Sequence, residues 1–485
     1  MGKHITDYSL YRWRYYLGYG LIGLILLAVF AVAGLYIPGA LSPGEMQSVI
    51  ASDALRLSLS TFDPASAINL PYHLLQRASI ELLGVSHLSI KLPSLLLGIL
   101  SAVGMLVLLR TWFRRNVAVL TTILVITTGQ FLFVAQSGTQ GIIYIFWSIL
   151  LLVSAMMVSR GARGSGIWKV VLFGTAALSL YTPLSMYILI ALMSAVILHP
   201  HLRYLIRRLP KTKLLIASAC ALLLLVPLVY VIWRDPSIGL TLLGVPSAWP
   251  DFSANIFQLL RQYFDFFSPS SGTLMTPVYG LGSMILILLG ILRLVTTKYT
   301  ARSYITASWI ILLLPVLVIN PDFVSITFVP VVLLMAMGMS TLLSNWYRLF
   351  PLNPYARMAG LVPLAVLIGG MVLSGVDRYM YGYQYDPQTA GNFSQDLRLV
   401  NKQLRDETRG KTALVVSEKE VPFYNVVARH QKDVTVAPAN VPVVAPTIIV
   451  SHEAYTKSAN MPWRIVTDGM SSDADRFYIY KTTEK

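Results

Sequence analysis

The chain has 485 residues, of which 55% are hydrophobic and only 12% charged, and its mean hydropathy is +0.64. Soluble domains carry about a quarter charged residues, so this composition excludes a soluble globular protein and marks an integral membrane protein. A formal net charge of +16 would suit a nucleic-acid partner, but where the charges fall excludes that reading too.

The first apolar run starts near Tyr16 behind the basic, aromatic flank "YRWRYY" and continues as "LGYGLIGLILLAVFAVAGLYI". It is long enough to cross a hydrocarbon core of about 30 Å. It lacks a small-residue cleavage site, so it reads as a retained helix and not a signal peptide. Further runs bring the expected spans to 11, near residues 16–37, 88–110, 116–136, 140–159, 168–181, 183–199, 213–233, 278–296, 303–319, 323–344 and 357–377. With the N-terminus cytoplasmic, the inner flanks ("LRTWFRRN", "SRGARGSGIWK", "HLRYLIRRLPKTK", "RLVTTKYTARS", "YRLF") hold roughly 19 Lys and Arg against about 5 in the outer loops. The positive charge is therefore membrane topology, and no nucleic acid is called for. An odd number of spans puts the C-terminus outside a multi-pass plasma-membrane protein. The single cysteine, Cys220, falls in a span, reads as a small buried hydrophobe and allows no internal disulfide.

Three outer regions stand out along a transmembrane domain over residues 1–380. Residues 38–87 contain "SPGEMQSVIASDALRLSL" and "INLPYHLLQRASIELLG", helices too polar to span and suited to the outer interface. Residues 234–277 are rich in Trp, Phe, Tyr and Pro, as headgroup-level segments are. From 386 to 485 the charge rises. There "NFSQDLRLVNKQLRDE" offers Ser394 as an N-cap with Leu397, Val400 and Leu404 at helical spacing. "TALVVS", "VTVAP", "TIIVS", "WRIVT" and "RFYIYK" read as strands, and "EVPFYNVVARH" as a helix between the first two. This predicts a small extracytoplasmic α/β domain of about 100 residues with a structural or partner-binding role. "NFS" at Asn392 fits a glycosylation triplet, a pattern common by chance.

Ser42-Pro43-Gly44-Glu45 is a capping-box sequence: Ser42 caps, Pro43 suits the first helical position and Glu45 reaches back to the Ser42 N–H. That role alone would explain Glu45. A carboxylate held at a helix N-terminus on the membrane surface also has what a general base needs. Asp53 follows eight residues later, about 80° round the helix. It is either a solvated acid beside Arg56 or a second acid facing the same cavity. Gln136 and Gln140, in the turn between the third and fourth spans, can cap helix ends or hydrogen-bond a sugar. A lipid-phosphate substrate would need an outer cation, and Arg56, Arg77, Lys91, Arg234 and Arg261 are the few available, with His73 and His87 near the same surface. Metal-ligand spacing is absent, so any metal stays unassigned and no cofactor is expected. Charges inside spans are nearly absent, which disfavours an ion-coupled transporter.

The order of one span, an acid-bearing outer helix and then "LPYHLLQ…LLGVSHLSIKLPSLLLG" resembles the GT-C membrane glycosyltransferases, in particular the protein O-mannosyltransferase and lipid A aminoarabinose transferase group. The short turn before "IIYIFWSILLLV" resembles the third-to-fourth-span turn of that group and "LSLYTPLSMYI" its next outer re-entry, and the likeness covers roughly residues 10–200. The resemblance implies a GT-C-type helical fold of about 11 spans. It also implies an inverting transfer from a polyprenyl-phosphate sugar to a lipid, glycan or protein acceptor, with Glu45 at the position of the loop base. The pattern is incomplete. Gly44 stands where the family often has a second acid, Gln140 and Gly141 where it often has Asp, and Asn69 where some relatives have an acid before the proline-tyrosine helix; Asp53 or Asp63 would have to compensate. The alternative reading is a catalytically degenerate relative that binds a polyprenyl lipid or scaffolds an envelope complex through its tail.

Overall fold

A computed structural model describes residues 9–35, 40–55, 63–161, 165–208, 210–266, 277–297, 300–349, 354–385, 393–394, 396–406, 412–431, 434–455, 461–467 and 476–481. Arg56 and Asn392 lie outside the described residues.

Helix α1 (Ser9–Leu35) leads to two shorter helices, α2 (Pro43–Ala54) and α3 (Leu70–Leu83). The apolar body follows as α4 (His87–Trp112), α5 (Arg115–Ile126), α6 (Gly129–Gln136), α7 (Gly141–Ser159), α8 (Ser165–Ser179), α9 (Met186–Leu198), α10 (Pro200–Arg207) and α11 (Lys211–Arg234). Two short outer helices, α12 (Pro236–Leu243) and α13 (Phe252–Phe264), precede α14 (Leu281–Thr296), α15 (Ala301–Ile319), α16 (Phe328–Leu349) and α17 (Pro354–Tyr385). Each expected span falls on one of these helices or on a bent pair. Six are long and apolar enough to cross a membrane, or up to eight if each bent pair is one span. The apolar stretches Tyr15–Ala28, Gly166–Ser179 and Leu281–Thr296 are shorter, so length and composition do not establish the count of 11.

The expected span at 183–199 is α9, and the flank that follows it forms α10, turned 96° from α9. His199-Pro200 sits at the corner, where proline ends one helix and starts the next. The span at 116–136 is broken, by 62° between α5 and α6. Thr127 Oγ1 turns back to the Ile123 carbonyl at 2.9 Å, and Thr128 caps the Phe131 N–H. These threonines stop α5 and restart α6 from within the bundle.

The core gathers α4, α5, α7, α15 and α16, with Trp309, Phe131 and Phe328 almost fully buried and the two phenylalanine rings stacked at 5.6 Å. On the periphery Leu222, Leu223, Leu288, Val295, Val366 and Leu373 are exposed, as a lipid-facing surface requires. Helices α14 and α16 meet backbone to backbone. A Cβ on Gly290 would overlap the Leu334 carbonyl, and one on Gly338 the Leu286 carbonyl.

The tail folds as expected into α18 (Asp396–Asp406), α19 (Val421–Arg429) and strands β1 (Thr412–Val416), β2 (Val434–Pro438), β3 (Thr447–Ser451), β4 (Arg464–Thr467) and β5 (Arg476–Lys481). The mixed sheet has the order β2-β1-β3-β5-β4, with β1 parallel to β2 and β3 and with β5 antiparallel to β3 and β4. This unit is not a separate bead. Leu397, Val400, Leu414, Phe423 and Ile479 share one buried cluster with Leu41, Val49 of α2, Ile80 of α3 and Ile90 of α4. Leu41 and Ser394 also exchange two backbone hydrogen bonds at 2.8 Å.

Candidate functional site

Glu45 sits where α2, α4 and the turn before α7 converge, and it is 1% exposed. The capping box forms as the sequence predicts: Ser42 N donates to Glu45 Oε2 at 2.7 Å and Glu45 N donates to Ser42 Oγ at 3.3 Å. Two further groups arrive from far along the chain. Gly138 N donates to Oε1 at 2.6 Å, and Lys91 Nζ lies 3.6 Å from the same oxygen. Lys91, also 1% exposed, donates to the Ala40 carbonyl and to Gln136 Oε1, both at 2.9 Å. The three donors of its ammonium are thus directed at protein oxygens. Gln136 is fully buried, and its Nε2 lacks a partner.

A second polar layer backs this cluster. Gln76 Nε2 donates to the Gly138 carbonyl at 2.9 Å, so the two peptide groups that flank the Gly138 Cα are held by Glu45 at the N–H and by Gln76 at the carbonyl. A Cβ there would press on Ile90 and on Glu45 Oε1, which makes glycine a steric requirement. Gln76 Oε1 accepts from Ser48 Oγ at 2.7 Å and lies equally close to Ser52 Oγ, which is 2.9 Å from His73 Nδ1. Burial pushes the His73 pKa down to about 4, so its ring is neutral at pH 7 and brings no positive charge for a phosphate.

The other anticipated residues do not join this cluster. Asp53 pairs with Arg429 of the tail and shares no partner with Glu45. Arg77 pairs with Glu81 at 2.7 Å and also donates to the Leu55 carbonyl. Arg234 ends α11 on an exposed surface; Arg261, also exposed, lies 5.5 Å over the Phe257 ring and 4.0 Å from Asp265. Gln140 is half-buried at the start of α7 and its side chain makes no cap. Asp63 caps a short turn at Ala65, and Asn69, buried in a left-handed conformation with Oδ1 unpartnered, opens α3. Ser48, Ser52, Gln76 and Gly138 were not anticipated. The 48/52 and 73/76 spacings put each pair on one helix face, a signal visible in the sequence. Among the described residues no group of three or more His, Cys, Asp or Glu is placed to hold a metal.

Residues 70–233 match the family of dolichyl-phosphate-mannose-protein mannosyltransferases, a stretch that takes in α3 with His73 and Gln76, Lys91 and Gly138 but not Glu45. The whole chain is similar in structure to ArnT from Cupriavidus metallidurans bound to undecaprenyl phosphate: TM-score 0.53 at 15% identity, covering 96% of this chain and 98% of that one. It is also similar to the apo state of that protein, at TM-score 0.50 and 15% identity over 95% and 96% of the two chains. No curated protein sequence matches the chain. The fold is therefore that of the GT-C membrane glycosyltransferases, as the sequence motifs lead one to expect.

Proposed function

We propose that the protein is a membrane glycosyltransferase that moves a sugar from a polyprenyl-phosphate carrier to an acceptor hydroxyl on the outer face of the membrane. The observation that carries this reading is Glu45: an acid in the loop position that the GT-C resemblance assigns to the base, held against an ammonium inside the segment junction. In an inverting transfer the acceptor oxygen attacks the anomeric carbon, its proton passes to Glu45, and the carrier phosphate leaves with the bonding electrons. For the proton to pass, the hydroxyl has to replace one of the donors now on Oε1, and Lys91 is the exchangeable one. The Gly138 N–H is fixed by the Gln76 bond behind it. Arg261, and Arg234 at the end of α11, stand on the outer surface as candidate contacts for the carrier phosphate. In this reading Asp53 serves the tail contact.

A second reading, a non-catalytic relative that binds a carrier lipid or organises an envelope complex, is favoured by the same residue's burial. At 1% exposure, with every oxygen contact supplied by protein, Glu45 also makes sense as a structural lock. Transfer of radiolabelled sugar from polyprenyl-phosphate donors decides between them. Glu45→Gln keeps the volume and much of the hydrogen bonding but cannot take a proton. Loss of transfer by a folded Glu45→Gln protein supports catalysis, and unchanged turnover refutes it.

A further inference from the structure

We infer that the cavity between the α5–α6 break, α14 and α17 is a seat for the phosphate of an anionic membrane lipid, held by Arg378 and Gln130. The cavity measures about 420 Å³, and Thr128, Gln130, Ser374 and Arg378 are among the polar residues that line it. Gln130 is 4% exposed, and neither its Oε1 nor its Nε2 has a partner. Arg378 presents a buried Nη2, also without a partner, and makes no ion pair among the described residues.

Leaving an amide and a guanidinium N–H buried and unpaired is costly. A cation in a membrane-spanning helix ordinarily pairs with another charge or a carbonyl and marks a functional site, and Arg378 has no counter-ion among the described residues. The flat fork of an arginine suits two oxygens of one phosphate, and Gln130 Nε2 supplies a further donor. The break in the helix is what makes the donor set possible. It releases α6 from the line of α5 and sets Gln130 in its first turn, while Gly375 of α17 fits so closely against Thr127 that a Cβ there would overlap the Thr127 carbonyl.

The apolar lining points to a lipid and not to free phosphate. Leu281, Ile285, Val366 and Leu367 line the same cavity and are 47–69% exposed on the flanks of apolar helices, so the cavity opens at the surface that faces hydrocarbon. A headgroup entering there keeps its acyl or prenyl chain in the membrane. None of these residues belongs to the Glu45 cluster, and occupancy can be read without any transfer assay, so the site stands or falls apart from the function proposed above.

The test is native mass spectrometry of the delipidated full-length protein in detergent, titrated with phosphatidylglycerol, phosphatidylcholine and inorganic phosphate. Phosphatidylglycerol is expected to bind the wild type at least tenfold more tightly than it binds Arg378→Leu. Gly370→Leu is the second variant: a Cβ at Gly370 meets nothing within 4 Å, so leucine fills the cavity without touching Arg378's backbone or straining the helix. It should weaken phosphatidylglycerol to the same degree, and it decides the matter if Arg378→Leu fails to fold. Phosphatidylcholine should bind all three proteins alike. Equal phosphatidylglycerol binding by wild type and Gly370→Leu overturns the site. Equal loss of phosphatidylcholine overturns the choice of an anionic lipid, and displacement of the lipid by millimolar inorganic phosphate overturns the lipid as ligand.

Discussion

Lys91 Nζ lies 3.6 Å from Glu45 Oε1, and both side chains are 1% exposed. The pair joins the first outer helix to the start of the second span, and Gln136 and Gly138 close it from the turn before α7. Its charges are compensated inside the protein, so stability depends on the contact that the proposed function also uses.

Removing one partner of a buried pair leaves the other uncompensated, at a cost of about 3–5 kcal/mol. Glu45→Gln and Lys91→Met are each expected to lower the melting temperature sharply. The double variant should recover a large part of the loss, because it leaves no buried charge unpaired. Thermal unfolding of the four proteins measures the coupling. If the double variant melts like wild type but transfers no sugar, catalytic and structural roles of Glu45 are separated.

His73 makes folding sensitive to acid. Its pKa is lowered by burial from 6.5 to about 4, so between these values the unfolded chain binds more protons than the folded one and stability falls as pH falls. The contribution is complete above pH 6.5, is lost progressively toward pH 4, and is on the order of 3 kcal/mol. His73→Gln, which keeps a hydrogen-bonding group beside Ser52 without titrating, should flatten that limb of the stability profile. An unchanged slope between pH 6.5 and 4 would remove His73 as its source.

The contact of Asp53 with Arg429 is partly exposed, and exposed pairs contribute about 0.2–1 kcal/mol. Asp53→Asn should therefore shift the melting point slightly, by an amount that shrinks with added salt, and should leave sugar transfer near the wild-type rate. A loss of transfer comparable to that of Glu45→Gln would return Asp53 to the chemistry.

Deleting residues 393–485 is expected to be far more damaging than that pair suggests. The deletion uncovers Leu41, next to the Ser42 cap, Val49 of α2, Ile80 of α3 and Ile90 of α4, the segments that carry Glu45, Gln76 and Lys91. Protease digestion should find α2 and α3 newly cleavable in the truncated protein. Point changes on exposed tail surfaces, such as Val444, which is 99% exposed, are the cleaner probe of a partner-binding role.

Gly290→Ala and Gly338→Ala should each destabilise the bundle by about 1–3 kcal/mol, because the added methyl meets a fixed carbonyl across the α14–α16 contact. Gly369→Ala, where the methyl meets nothing within 4 Å, should be neutral or slightly stabilising. Equal melting temperatures for all three would show that the two helices can separate without penalty.

Much was legible in the sequence because it is local. A chain in hydrocarbon must satisfy its own backbone groups, so apolar length marks spans, and the expected spans coincide with helices or broken helices. The two bends were not legible, since a helix and a helix broken at Thr127 share the same hydropathy. Ser42 and Glu45 lie three residues apart, so their mutual capping could be read directly, and the tail's strands announced themselves by β-branched runs between turns.

What only the tertiary structure decided is which groups meet across the chain. Gly138 reaches Glu45 over 93 residues and Arg429 reaches Asp53 over 376, and no spacing rule anticipates either. From sequence, Lys91 was one outer cation among several and Asp53 a second acid near Glu45. Packing put the lysine into an ion pair under the surface and turned the aspartate to the tail. Gln130 and Arg378 went unremarked for the same reason: a polar residue in a span gains meaning only when neighbouring helices show whether the protein itself satisfies it. Apolar length and capping are fixed by adjacent residues and survive any arrangement of the helices, whereas the partner of a buried charge is fixed only when the helices pack.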